Sequence, residues 1–325
     1  MVKISSPYSD AFKEAYWNWF KNHYEVNDNT KLSEIFIEGK YMLEKDFLLK
    51  DVIISDNTYI EISTMLKKAD KSIIKSKYDF VDEYERFVSR DSDKESAKMN
   101  AVKLYKEIDI KVCPYCNLND ISYYKDVHGT KRGHLDHFYC KKDYPYLALS
   151  IYNLVPICST CNSSFKGSKS TNIKNYIHPY FECFGDEGRF ILIMGQAMNS
   201  LQEDTKKSSN TYIALRYGKN SYKVRNNNKL FHLAYDDEQG ILGVYQQEIE
   251  YAVELLKKFR NYSPELIDSL YRTWKKLSSK EDIKKEDFEN NIFDKRIPEE
   301  QMVNHRRAKL HSDLYKEYYE ERYNS

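Results

Sequence analysis

Apolar residues recur at helical spacing at both ends of this 325-residue chain and at strand spacing between them. Near the start, Ser9-Asp10 caps a helix whose apolar positions are Phe12, Ala15, Tyr16 and Phe20. A second helical stretch runs from Tyr78 to Ile108, with Phe80, Tyr84, Phe87 and Val88 on one side. The polar run from Ser89 to Ser96 interrupts it and reads as a loop. Residues 50–64 fit either period. From about 109 to 180 the pattern changes. Ile121–Tyr124 reads as a short strand, His128–Gly133 as a turn, His134–Tyr139 as a returning strand and Asn153–Ile157 as another. Ser159–Lys166 then opens a helix that Gly167 ends. Residues 189–195 and 211–217 read as strands joined by a polar loop. The tail is helical again: Ser263-Pro264-Glu265 is a cap with proline at the first helical position, and Pro298 starts a last charged helix ending near Tyr323. The expected class is therefore α+β. It has a helical region over 1–108, a ligand-rich core over 109–190 and a mixed, then helical, region over 191–325.

Two Cys-x-x-Cys pairs bound that core: Cys113/Cys116 and Cys158/Cys161. Two cysteines two residues apart sit on one tight turn, and two such turns complete the four thiolates of a tetrahedral structural zinc. The separation between the pairs exceeds that of a simple zinc ribbon, so something is inserted between them. The insertion holds His134, Asp136 and His137, and Asn162 directly follows the last cysteine. Cys140 and Cys183 are left over, and Cys140 is expected to be a free thiol.

This residue set suits phosphodiester hydrolysis, which needs a base for water and a cation on the phosphate. His137 is the candidate base, with an ordinary imidazole pKa near neutrality. Asp136 and Asn162 are hard oxygen donors for Mg²⁺ or Mn²⁺. Adjacent strand residues face opposite ways, so Asp136 and His137 share one site only if the strand bends or ends there. His134 lies on the Asp136 face and is expected to pack or hydrogen-bond. His178, before Pro179, is expected to stabilise a turn.

Charge adds one point. The whole chain carries 51 basic and 50 acidic side chains, which favours no partner. Residues 111–178 alone hold nine basic and four acidic ones, an excess where a polyanion would bind. Lys131, Arg132, Lys141, Lys142, Lys166 and Lys169 form a candidate phosphate track. The 29 tyrosines are expected mainly to pack helices with the hydroxyl at the surface. The first residues lack an apolar signal core, and no run approaches a membrane span. A cytoplasmic protein with reduced thiols is expected, which favours metal ligation over disulfides.

Segment 113–167 resembles the zinc-bearing HNH endonucleases. The likeness rests on Cys-x-x-Cys, Asp136-His137, Asn153-Leu154, Cys-x-x-Cys-Asn162 and Lys166-Gly167. It implies a ββα-metal (His-Me finger) core, with His137 as general base and Asp136 and Asn162 on a divalent metal. Asn153 would orient the intervening loop by hydrogen bonds. More narrowly, Asp136-His-Phe, Tyr144-Pro-Tyr-Leu-Ala148, Cys161-Asn-Ser-Ser-Phe-Lys-Gly167 and His178-Pro-Tyr180 resemble HNH effectors of bacterial anti-phage systems, such as the Septu HNH subunit and retron-associated HNH proteins. Cys140 stands where those relatives often carry proline. The likeness spans roughly 110–190. It implies DNA as substrate, with an ATPase or retron complex as partner. Cutting both strands at once would need two such centres, hence a dimer or larger assembly. The rival readings are a non-catalytic zinc-dependent nucleic-acid binder and an adaptor. No ATP-binding loop occurs in the chain, so any energy coupling would come from another protein.

Overall fold

The computed structural model describes residues 1–5, 7–35, 45–65, 75–89, 98–126, 129–194, 211–219, 221–230, 241–277, 284–293 and 297–321. It divides into two compact units, Met1–Cys183 and Phe184–Ser325. Helices dominate the described residues, which also form three two-stranded antiparallel sheets. Among the described residues no helix is long and apolar enough to cross a membrane.

The first unit opens with α1 (Asp10–Tyr24). The Ser9 hydroxyl accepts from the Phe12 amide, and Glu25 in the left-handed region ends the helix. Phe12, Tyr16, Trp17, Phe20 and Tyr24 form its buried face. The ambiguous stretch resolves into α2 (Leu49–Ile54) and α3 (Asp56–Met65). The expected Tyr78–Ile108 stretch is two helices, α4 (Phe80–Ser89) and α5 (Ala101–Ile108). The Asn100 side chain caps α5 on the Lys103 amide. Most of the polar run expected as a loop lies outside the described residues.

The middle of this unit carries the short strands. β1 (Tyr124–Asp126) pairs with β2 (Gly129–Lys131), so the first strand starts three residues later than expected. Only part of the expected His128–Gly133 turn is described: His128 lies outside, and Gly129–Lys131 is strand. β3 (His134–His137) pairs with β4 (Leu154–Ile157), from His134↔Ile157 to His137↔Leu154. A π-helical turn with i→i+5 bonding, Thr160–Lys166, follows. Gly167, at φ 51°, ends it. The order of two antiparallel strands and then a helix is as the sequence suggested.

Four tyrosines depart from the expectation of surface hydroxyls and bond inward to this hairpin and its connecting loop. Tyr8 donates to the Ile151 carbonyl at 2.9 Å, Tyr16 to Leu149 at 3.0 Å, Tyr84 to Leu135 at 2.9 Å and Tyr105 to His134 at 2.6 Å. Each ring fills the core while its hydroxyl donates to a backbone oxygen of β3 or of the loop between β3 and β4.

In the second unit, β5 (Gly188–Ile193) pairs with β6 (Tyr212–Tyr217). α6 (Tyr222–Leu230), α7 (Leu242–Tyr245), α8 (Ile249–Asn261), α9 (Pro264–Leu277) and α10 (Lys285–Ile292) follow. The single last helix expected from Pro298 is corrected. Pro298 precedes a 3-10 turn, Glu299–Asn304, and Arg307 at φ 65° breaks the path before α11 (Ala308–Tyr315). α11 packs on β5 through a buried Lys309–Asp313 pair. Lys309 donates to the Gly188 carbonyl, and Asp313 accepts from the Phe190 amide.

Candidate metal centre and the hairpin site

The two cysteine pairs converge. The Sγ atoms of Cys113, Cys116, Cys158 and Cys161 lie within 4.8 Å of one another, and all four residues are buried. Local hydrogen bonds make the turns. The Asn117 amide donates to the Cys113 carbonyl at 2.8 Å, with Asn117 at φ 54°. The Cys161 amide points at Cys158 Sγ at 3.4 Å, and Asn119 Nδ2 does so at 3.3 Å. N–H groups aimed at sulfur stabilise thiolate character, as ligating cysteines require. Four closely spaced buried sulfurs fit a tetrahedral ion such as zinc, with no position left for substrate. A structural metal is the role that fits.

Cys158 directly follows β4 and Cys161 lies in the following helix, so the cluster ties the end of β4 and that helix to the first cysteine turn. β3 keeps regular pairing through His137. Asp136 and His137 therefore project to opposite faces. Their partners agree. Asp136 is 4% exposed, with Oδ2 accepting from the Tyr115 hydroxyl at 2.8 Å and Oδ1 from Lys166 Nζ at 2.7 Å. Lys166 also donates to the His137 carbonyl at 2.7 Å. His137 lies under the edge of Tyr84, ring centroids 4.2 Å apart, with Nε2 3.0 Å from the Ala148 carbonyl. Only a protonated nitrogen can donate there, so Nδ1 carries the lone pair in the neutral ring. Burial pushes the His137 pKa down to about 3, against an opposing pull from the Ala148 carbonyl.

Asn153 is fully buried and saturated. Its Oδ1 accepts from the Tyr139 amide at 2.8 Å and the Tyr59 hydroxyl at 3.0 Å. Its Nδ2 donates to the Tyr139 and Leu147 carbonyls at 3.0 and 3.1 Å. It clamps the loop that carries the chain from β3 to β4. Asn162, placed by the cysteine turn, directs its carboxamide to His134 Nδ1 at 3.0 Å. His178 is fully buried against Phe138 and Phe181, and accepts from the Tyr180 amide within its own turn. Cys140 is half-buried.

The six candidate phosphate contacts do not form one track. Lys166, expected among them, is buried at 2% exposure on Asp136, because that carboxylate needs a counter-charge. Lys141 pairs with Glu85 and lies over the Tyr84 ring. Arg132 donates to the Gly133 and Val88 carbonyls. Lys131, Lys142 and Lys169 are exposed. The inward tyrosines Tyr115, Tyr84 and Tyr59 belong to the site and were missed. Tyr115, inside the first Cys-x-x-Cys, carried the one available signal.

No protein-family model, curated protein or solved structure matches this chain.

Proposed function

We propose that this chain is an HNH-type endonuclease that hydrolyses DNA phosphodiester bonds, with His137 as the base. The observation that carries the reading is the Nε2–H to Ala148 carbonyl bond, which leaves Nδ1 of a neutral imidazole as proton acceptor. The ring is neutral at physiological pH because it is buried. An anionic phosphodiester entering beside it would stabilise the imidazolium and raise the pKa toward the working range. Asn153 holds the loop over the ring, and the cysteine cluster holds the hairpin to its helix. A role in anti-phage defence beside a partner ATPase rests on the resemblance of residues 110–190 alone.

A catalytic Mg²⁺ or Mn²⁺ on Asp136 and Asn162 does not fit the arrangement as it stands. Lys166 and Tyr115 hold both Asp136 oxygens, and Asn162 faces His134. That favours a second reading, a non-catalytic zinc-dependent nucleic-acid binding module or adaptor. Supercoiled plasmid, with and without added Mn²⁺, separates the two. The nuclease reading expects nicking by the zinc-loaded chain and its loss in His137→Ala with zinc retained. Equal nicking by both proteins, or none under any condition, would sink it.

A further inference from the structure

A cleft of about 670 Å³ opens beside the cysteine turns. Its walls include Tyr124, Lys131 and His134 from the strands, Ser122 before them, and Ser159 and Thr160 from the second cysteine turn. The volume lies in the range of small-ligand pockets, so it would take a nucleotide-sized group rather than a duplex.

Tyr124 departs from the tyrosine pattern of its unit. Tyr8, Tyr16, Tyr84 and Tyr105 bury their rings and hydrogen-bond to carbonyls. Tyr124 is 56% exposed and lines the cleft. The β1–β2 register sets it directly opposite Lys131, so an aromatic face and an ammonium stand side by side. Arg132 follows on the same wall, held by its two backbone carbonyls. The cleft's Asp120 accepts from the Ser122 amide and so closes its own turn. Two cations against one carboxylate leave the cleft positive. An open ring, adjacent cations and hydroxyls suit a base, its phosphate and its sugar or base edge respectively.

We infer that this cleft binds an unpaired nucleotide of a nucleic-acid strand, with its base stacked on Tyr124 and its phosphate beside Lys131. In a duplex the base faces are covered by their neighbours, so only an unpaired or extruded base can lie on the ring. The inference rests on the nuclease reading and names its substrate class, a single-stranded or locally opened strand. Binding itself does not require His137.

The test is fluorescence anisotropy with a labelled 12-nucleotide single strand and its duplex, no divalent ion added, on the full zinc-loaded chain. Wild type should prefer the single strand. Tyr124→Ala should weaken binding about 5- to 150-fold, the worth of one stacked base. Tyr124→Phe keeps the face and should stay within about twofold. Tyr124 is exposed, so zinc content and circular dichroism should be unchanged in both variants. Unchanged affinity in Tyr124→Ala, equal loss in Tyr124→Phe, or preference for the duplex would overturn the inference. Failure of the two readings is distinguishable. Stacking without His137-dependent cutting would spare the cleft and sink the nuclease. The converse would spare the nuclease and sink the cleft.

Discussion

Replacing Lys166 with methionine keeps the length of the side chain and removes its charge. The perturbation strands the Asp136 carboxylate, 4% exposed, with the Tyr115 hydroxyl as its remaining side-chain donor among the described residues. At 2.7 Å and an effective dielectric near 20, the lost attraction is about 6 kcal/mol in gross terms. The net cost of orphaning one partner of a buried pair is about 3–5 kcal/mol. Asp136→Asn in the same chain should recover much of this, because a neutral amide needs no counter-charge and can still accept from Tyr115. The two compact units make a single global unfolding energy ill-defined. Urea-dependent hydrogen exchange of peptides spanning 134–166 therefore reads the effect locally. A second readout follows from the same charge. With the ammonium gone, Asp136 becomes available to a divalent cation, and Mn²⁺ binding followed by electron paramagnetic resonance should tighten in Lys166→Met. A loss below about 1 kcal/mol, the level of an exposed pair, would refute the buried-pair reasoning. So would a double variant whose cost is simply the sum of the two.

Cys158→Ser should abolish stoichiometric zinc and cost the first unit its exchange protection, while the second unit, with its own core, keeps its protection. Metal analysis with peptide-resolved exchange checks both. Asn153→Ala should cost about 2–4 kcal/mol in local stability, since it leaves buried backbone groups of Tyr139 and Leu147 unsatisfied. Asn153→Asp should be at least as harmful, because a second carboxylate oxygen would face two carbonyls. His137 and His178 are both held near pKa 3 by burial, below an unfolded value near 6.5. Their folded pKa values are depressed, so their stabilising effect is full above about pH 6.5 and is lost as pH falls from there toward 3. At pH 5.5 each should cost on the order of 1 kcal/mol, and His178→Gln should lower the pH slope by about one proton.

The cysteine turns were legible because Cys-x-x-Cys spacing dictates a local turn whatever surrounds it. The order of β3, β4 and the following helix was legible too, because Asp136-His137 and Asn153–Ile157 fall between turn signals. The inward hydroxyls were not. A tyrosine at helical spacing reads the same whether its oxygen meets water or a carbonyl more than a hundred residues away, as that of Tyr16 does. The burial of Lys166 is hidden for a related reason: a lysine beside Gly167 reads as exposed until the buried Asp136 carboxylate on β3 is known. The break in the tail is not legible, because nothing in the sequence around Arg307 marks a left-handed residue. The split of Asp136 and His137 onto two faces was foreseeable from strand alternation alone, and β3 keeps that alternation to its last residue.

Single-turnover cleavage of an end-labelled oligonucleotide by zinc-loaded wild type, His137→Ala and His134→Ala tests the central claim most directly. With His137 as the base, His137→Ala should lose at least about 100-fold, the usual worth of a positioned general base, while His134→Ala retains cutting with weaker binding at most. A chain that loses cutting through His134 and keeps it without His137 would contradict the account, and would move the chemistry to the face that carries the cleft.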